Sequence, residues 1–188
     1  MYKVLDKDTI EMEIVPHIPL PKRGVAPTAP LCEIVNAILY KLKTGVQWEY
    51  LPTTSLFSQK VLSWQSVYHH YRKWCRSGTF LDCWTGILKR YRDMFDLSSV
   101  DLDGSHTPAI RGGEAVEYQG RKKGRTTNAL FLTDRQGLPL AMSEPVSGNH
   151  NDLFDIEVQF EVVTATLDRA DIKTQGLFLN ADAGFDSK

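Results

Sequence analysis

Apolar residues recur at helical spacing in three segments of the first half of the chain. The first segment places its apolar residues on one stripe over positions 31–42 and then meets Gly45, which predicts a helix that ends there. The second begins after Ser63, a residue suited to an N-cap, and closes at Gly78, and the third begins near Thr79. Three short amphipathic helices predict a small helix-turn-helix-like domain, with most of its aromatic residues in the core.

Beyond about residue 96 the pattern becomes that of strands. Val100 and Leu102 alternate with Asp101 and Asp103, which predicts a short strand. The sequence NALFLTDRQGLPLAMSEPV then predicts a hairpin that turns at residues 134–137. A Gly-rich, basic stretch separates this strand from the hairpin.

A helix and a last strand complete the predicted order. The helix spans roughly 153–168, with capping groups from residues 149–152, and a compact apolar strand follows and ends at Asp182. If the helix acts as a crossover, the last strand lies parallel to the first strand and beside it. Asp103 lies near the end of the first strand, so we expect its carboxylate to converge with that of Asp182 at one edge of the sheet.

Two converging carboxylates imply a cation, because each would otherwise raise the pKa of the other. Ligands that are all oxygen favour a hard ion such as Mg²⁺ (or Mn²⁺), and paired ions of this kind serve phosphodiester chemistry. The alternative is that both aspartates cap turns, for which Asp103-Gly104 is a suitable pair.

The charge of the chain is uneven although its net value is −1. Between residues 22 and 92, eleven Lys and Arg residues face only Glu33, Glu49 and Asp82. A basic, aromatic-rich segment favours a polyanionic partner, and a solvated helix face explains it equally well.

Other features narrow the class of protein. The sequence has no apolar run of about 18 residues and no secretory pattern at its N-terminus, so we expect no membrane span and a cytoplasmic location. Three cysteines without a Cys-x-x-Cys pair fit a reducing compartment, and we expect Cys75 and Cys83 in helix cores. The fold class is α+β or α/β, with a helical domain at 1–96 and a strand-containing domain at 97–188.

Three motifs in this order resemble those of DDE transposases from bacterial insertion sequences, families four and five. DGSHT at 103–107 is similar to their first-aspartate motif, and ADAGFDS at 181–187 is similar to their second. ILYKLKTGVQW at 38–48, followed by Leu51-Pro52, resembles their N-terminal helical domain, as do the residues around 67–78. The resemblance covers about residues 20–188.

The resemblance implies an incomplete RNase H-like core of strand, hairpin, helix and strand at 97–188. It implies that Asp103 and Asp182 are the first two metal ligands of an acidic triad. The implied activity is Mg²⁺-dependent cleavage of DNA at element ends, followed by transfer of the freed 3′ end to target DNA. The helical domain would recognise the element ends, with the protein acting as a homo-oligomer on DNA within the nucleoid.

The third acid of that family, a glutamate on a later helix, has no counterpart after Asp182 in this sequence. We therefore expect a truncated enzyme or the first frame of a frameshifted element, inactive alone and completed by a downstream-frame fragment. The alternatives are a non-catalytic DNA-binding protein that represses transposition and a decayed remnant.

The resemblance also favours particular residues for DNA contact. A basic stretch precedes the hairpin, and a second basic group lies in the second helix. The candidates for contact with DNA are Arg121, Lys122, Lys123, Arg125, Arg72, Lys73 and Arg76. His106 is a candidate neighbour of the active site, although a loop histidine is more often simply exposed.

Overall fold

The computed structural model describes residues 3–19, 27–109 and 113–185. It divides into two units, residues 1–87 and 88–188. The assignment of a DNA-binding role to one domain and a catalytic role to the other stays a prediction.

The three helices predicted in the first half of the chain are confirmed with nearly the predicted bounds. Helix α2 (Leu31–Thr44) ends at Gly45, whose φ of 69° is the left-handed conformation that glycine adopts without strain. Helix α4 (Trp64–Arg76) begins after Ser63, whose hydroxyl accepts a hydrogen bond from the Ser66 N–H at 3.3 Å. Helix α5 (Thr79–Tyr91) follows Gly78, which has a φ of 72°.

Several short helical segments were not predicted. They are α1 (Lys7–Thr9), a π-helical turn (Ile10–Ile14), a 3₁₀ turn (Val15–His17), a second 3₁₀ turn (Trp48–Tyr50) and α3 (Thr53–Leu56). Tertiary contacts hold the segment around α1 in place. Ile10, directly after α1, is buried, and the N–H of Val4, before α1, donates to Asn36 Oδ1 at 2.9 Å. Segments this short carry too few residues for a helical period to show.

The core of the first unit is built from the apolar stripes of the helices. Trp74, Ile34 and Ile38 are fully buried, and the ring of Trp48 lies 5.1 Å from that of Tyr68. Cys83 is buried as expected. The expectation for Cys75 was wrong: its side chain is exposed, because Trp74 already fills the core position in the last turn of α4.

The second unit contains one sheet and one long helix. Its elements are β1 (Val100–Pro108), β2 (Glu117–Gln119), β3 (Gly124–Asp134), β4 (Pro139–Met142), β5 (Val146–Ser147), α6 (Ile156–Arg169) and β6 (Leu179–Ala181), with 3₁₀ turns at Arg92–Met94 and Ala183–Phe185. The sheet has six strands among the described residues. Four of them lie side by side in the order β2-β3-β1-β6, and β4 and β5 each pair with β3.

The pairing directions confirm the predicted hairpin and the predicted parallel neighbour. β3 and β4 are antiparallel around a turn that contains Gly137, with a φ of 81°. β1 is antiparallel to β3 and parallel to β6, with α6 between the hairpin and β6 along the chain. The mixed sheet and the preceding helices make the fold class α+β.

The helix α6 gives the sheet two unlike faces. A cavity of about 280 Å³ lies between the helix, at Val163 and Leu167, and the strands, at Val100 and Leu132. We call this side the covered face. The opposite side of β1 carries Asp101, Asp103, Ser105 and Thr107, and we call it the open face.

The predicted capping of α6 was wrong. The helix begins at Ile156 after Asp155, which has a φ of 48° and gives no side-chain cap. Residues 149–152 precede this turn, and the side chain of Asp152 is engaged elsewhere. No helix in the described parts of the chain has both the length and the apolar character needed to cross a bilayer.

Candidate metal and nucleic-acid site

The register of β1 and β6 brings the two predicted aspartates to neighbouring positions. Leu102 pairs with Ala181, the last residue of β6, and each aspartate is the next residue along the chain. The side chains of Asp103 and Asp182 are both exposed. Because the two preceding residues are register partners, the backbone of Asp182 lies close to that of Asp103, whose side chain is on the open face of β1.

A side-chain hydrogen bond joins the same two strands two residues before the aspartates. Asn180 Nδ2 donates to Asp101 Oδ1 at 2.9 Å, and these residues are register partners. This bond helps to hold β6 against β1 close to the two aspartates. The predicted last strand is confirmed over Leu179–Ala181. Its apolar residues are largely exposed, since Leu179 is 41% exposed and Phe178, directly before the strand, is 66% exposed. β6 lies at the edge of the described sheet.

The expectation that Asp103 lies near the end of its strand was wrong. It is the fourth residue of a nine-residue strand that continues to Pro108. The pairing with β6 stops at Leu102, so beyond that point β1 is paired on one side only among the described residues. The extended backbone at Asp103-Gly104 also excludes the alternative in which this pair forms a turn. The second motif continues to Asp186 and Ser187, which lie outside the described residues.

The reason for a glycine at position 104 is a close approach from Asp152. A Cβ built on Gly104 would fall 2.1 Å from Asp152 Oδ1, so the carboxylate takes the space of a side chain on the covered face. Asn128, which is 2% exposed, donates from Nδ2 to the same oxygen at 2.8 Å. Sequence reasoning missed this role of Asp152. The signal was a glycine within a strand, which often marks a close approach.

His106 lies on the other side of the strand from Asp103. It is three residues further along β1, and its Nδ1 lies 3.2 Å from Thr126 Oγ1 on the covered face. The structure therefore does not bring His106 together with the two aspartates, and its proposed role stays a prediction.

A basic turn connects β2 and β3. Arg121, Lys122 and Lys123 are exposed in it, and Arg125 follows on β3, where it pairs with Tyr118. Gln119 anchors the turn, since its Nε2 donates to the Gly148 carbonyl at 2.9 Å. The turn extends past Pro108, which is about 17 Å from Asp103 at the rise of a β-strand.

The second basic group lies on one helix. Arg72, Lys73 and Arg76 are exposed on α4, and the Arg72 guanidinium lies 5.8 Å from the centre of the Tyr68 ring. An arginine held over an aromatic ring loses less conformational freedom when it binds an anion.

The described residues do not gather three or more His, Cys, Asp or Glu side chains into a group that could hold a metal ion. The predicted metal site therefore depends on Asp103 and Asp182, which are both exposed.

Comparisons with known proteins give one match. No curated protein and no solved structure matches the chain. Residues 12–84 match a family model described as "Putative transposase of IS4/5 family (DUF4096)". This segment includes α2, α3 and α4 and begins within the π-helical turn. Over residues 12–84 the chain is therefore similar to the IS4/5 family of transposases.

Proposed function

We propose that the chain is the transposase of a bacterial insertion sequence, which binds the DNA of the element ends and acts in metal-dependent strand cleavage and transfer. Asp103 and Asp182 are the first two acids of its catalytic triad. The observation that supports the proposal is the parallel register of β1 and β6, in which Asp103 and Asp182 directly follow the paired residues Leu102 and Ala181. The family match over residues 12–84 supports the same function from an independent part of the chain.

The topology of the second unit supports an RNase H-like core. Three antiparallel segments, β1, β3 and β4, are followed by α6 and then by β6, which returns parallel to β1. A helical crossover of this kind is what places the ends of two parallel strands side by side. Function is assigned from the two carboxylates rather than from the sheet order, because one fold serves many functions.

The donor set at the open face fits a hard divalent cation. Mg²⁺ is often bound by one or two carboxylates, with water and substrate phosphates as its other ligands. Asp103 and Asp182 would hold it, and both are exposed and so accessible to a nucleic acid. When bound, the ion would stabilise charge on the oxygens of the phosphodiester.

The negative charges of the two aspartates repel DNA phosphates, so another part of the chain must attract the DNA. The basic turn supplies this attraction. Arg121, Lys122 and Lys123 have no acidic neighbour between residues 118 and 133, so their positive charge is not offset within that stretch. In this arrangement the turn binds the backbone of a duplex whose scissile phosphate lies at the aspartates.

Mn²⁺ binding tests the proposed metal site directly. We expect Mn²⁺, observed by electron paramagnetic resonance, to bind the purified chain and to bind at least tenfold more weakly after Asp103→Asn or Asp182→Asn. Asp168→Asn, an exposed change on α6, is the matched control and should leave the affinity unchanged. Equal affinity in all four proteins would exclude a metal site at these two residues.

The salt dependence of DNA binding tests the basic turn. The logarithm of affinity falls with the logarithm of salt concentration, with a slope close to the number of phosphates neutralised. Neutralising Arg121 and Lys122 together should flatten the slope by about two. Lys173→Ala removes an exposed positive charge elsewhere in the unit and serves as the control. An unchanged slope in the double variant would remove the turn from the interface.

A non-catalytic DNA-binding role is the second candidate, and one observation favours it. The described residues contain no group of three or more His, Cys, Asp or Glu side chains that could hold a metal ion. A nicking assay on duplexes that carry the element end, with Mg²⁺, separates the candidates. Retarded but uncut DNA supports the repressor for this chain alone, whereas cleavage that is lost in Asp103→Asn establishes the enzyme.

A further inference from the structure

The exposed face of α4 carries a continuous row of polar side chains. Gln65 and His69 occupy its first half, and Arg72, Lys73 and Arg76 occupy its second half, all exposed. At about 100° per residue the five positions lie within an arc of roughly 100°. Val67 and Trp74 are buried on the opposite side of the helix, so the polar face is turned toward solvent.

The charge and shape of this face suit a polyanion. The sequence WQSVYHHYRKWCR contains no Asp or Glu, so the three cations of its second half are not offset within the helix. The face lines an open cleft of about 580 Å³. Tyr68, which lies beneath the Arg72 guanidinium, forms part of the same cleft.

We infer that α4 enters the major groove of DNA, where Gln65 and His69 contact base edges and determine which sequence is bound. This inference rests on the proposed function only for the identity of the partner as DNA. The major groove is about 12 Å wide and admits one α-helix, and α4 is about 20 Å long at 1.5 Å per residue. The second half of the helix then holds phosphates through Arg72, Lys73 and Arg76.

The two halves differ in what their side chains can recognise. Gln65 is neutral and gains little from the charge of a phosphate, whereas its amide matches the N6 and N7 groups of adenine in a bidentate pair. His69 is the next exposed residue one helical turn further along and offers ring nitrogens to the adjacent base. His70, by contrast, is half-buried with its ring 5.5 Å from that of Trp74, which directs it away from this face.

A selection from a pool of random duplexes tests the assignment with the full chain. We expect wild-type protein to enrich a defined sequence and Gln65→Ala or His69→Ala to lose the preference at one or two base positions, by roughly 5- to 150-fold in relative affinity. Arg72→Ala and Lys73→Ala should weaken binding to all sequences alike and lower the salt slope by about one each. Gln175→Ala, an exposed change in the other unit, should enrich the wild-type sequence.

The outcomes distinguish this inference from the proposed function. If wild type binds DNA and both Gln65→Ala and His69→Ala enrich the same sequence as wild type, α4 does not read bases and the inference fails while DNA binding stands. If wild-type protein binds no duplex at low salt, the proposed function fails and this inference fails with it. Circular dichroism of each variant confirms that the helices are intact, so a lost preference reports recognition.

Discussion

The carboxylate of Asp152 occupies the place of a side chain at Gly104. A Cβ at that position would meet Asp152 Oδ1 at 2.1 Å and Cγ at 2.2 Å. Residue 104 directly follows the first proposed metal ligand, so the loop before α6 packs against the backbone that presents Asp103. A substitution at Gly104 must therefore move either this loop or β1.

Gly104→Ala should destabilise the second unit by about 1–3 kcal/mol, because the added methyl group would overlap the Asp152 carboxylate. Urea unfolding followed by circular dichroism measures the free energy of unfolding. Gly120→Ala is the matched control, since a Cβ at Gly120 meets nothing within 4 Å. Adding Asp152→Ala to Gly104→Ala should recover part of the loss, as expected for residues in direct contact. Equal stability of Gly104→Ala and Gly120→Ala would show that Asp152 does not fill the space beside Gly104.

Asn128 supports the same carboxylate from a buried position. Asn128→Ala removes a hydrogen bond to a charged group and should cost about 1.5–3 kcal/mol. Asn180→Ala removes a bond of the same type and nearly the same length, Asn180 Nδ2 to Asp101 Oδ1 at 2.9 Å, from an exposed site. There water replaces the lost partner, and we expect a cost below about 1 kcal/mol. A larger loss for Asn180→Ala than for Asn128→Ala would contradict this reasoning.

The three cysteines should differ sharply in reactivity. Burial, with a smaller contribution from Asp82, raises the pKa of the Cys83 thiol to about 11, and burial also raises the pKa of Cys32. Because the thiolate is the reactive form, alkylation at pH 8 should modify the exposed Cys75 alone in folded protein. Mass spectrometry counts the labels: one per folded chain, three after denaturation, and none in folded Cys75→Ser. Rapid labelling at two or three sites in the folded state would contradict the burial of Cys32 and Cys83.

His70 should make the first unit sensitive to mild acid. Burial, with smaller contributions from His69 and Lys73, lowers the pKa of His70 below its ordinary value of 6.5. Folding therefore favours the neutral ring, and the resulting stability is present above pH 6.5 and is lost as the pH falls through the folded-state pKa. Thermal unfolding of wild type and His70→Gln between pH 7.5 and 5 should show wild type losing stability relative to the variant. A difference that does not change with pH would show that the pKa of His70 is not lowered.

The sequence predicted elements whose signals are local. Gly45, Ser63 and Gly78 marked the helix ends because their conformational and capping preferences act within a few residues. The alternation around Asp103 and the crossover rule predicted β1, the hairpin and the parallel last strand. These features place Asp103 and Asp182 directly after two paired residues of neighbouring strands.

The missed features depend on contacts between distant residues. Residues 149–152 have the composition of a helix cap, yet Asp152 contacts Gly104, which is 48 positions earlier in the chain. Likewise, β2 is only three residues long and exists through its pairing with β3. No local pattern records which distant backbone a side chain will meet.

The short strand that precedes the second aspartate joins the sheet through the most distant strand pairing among the described residues of its unit. Asp101 and Asn180, which bond across β1 and β6, are 79 positions apart. Such a contact closes a long loop whose entropy must be lost before the bond is gained, so β6 should dock late in folding and open early in native-state hydrogen exchange. A ligand that needs both carboxylates binds only the docked form and therefore stabilises it. We therefore expect the docking of β6 to be a conformational equilibrium, which a cation or DNA bound at the proposed site would shift toward the docked form.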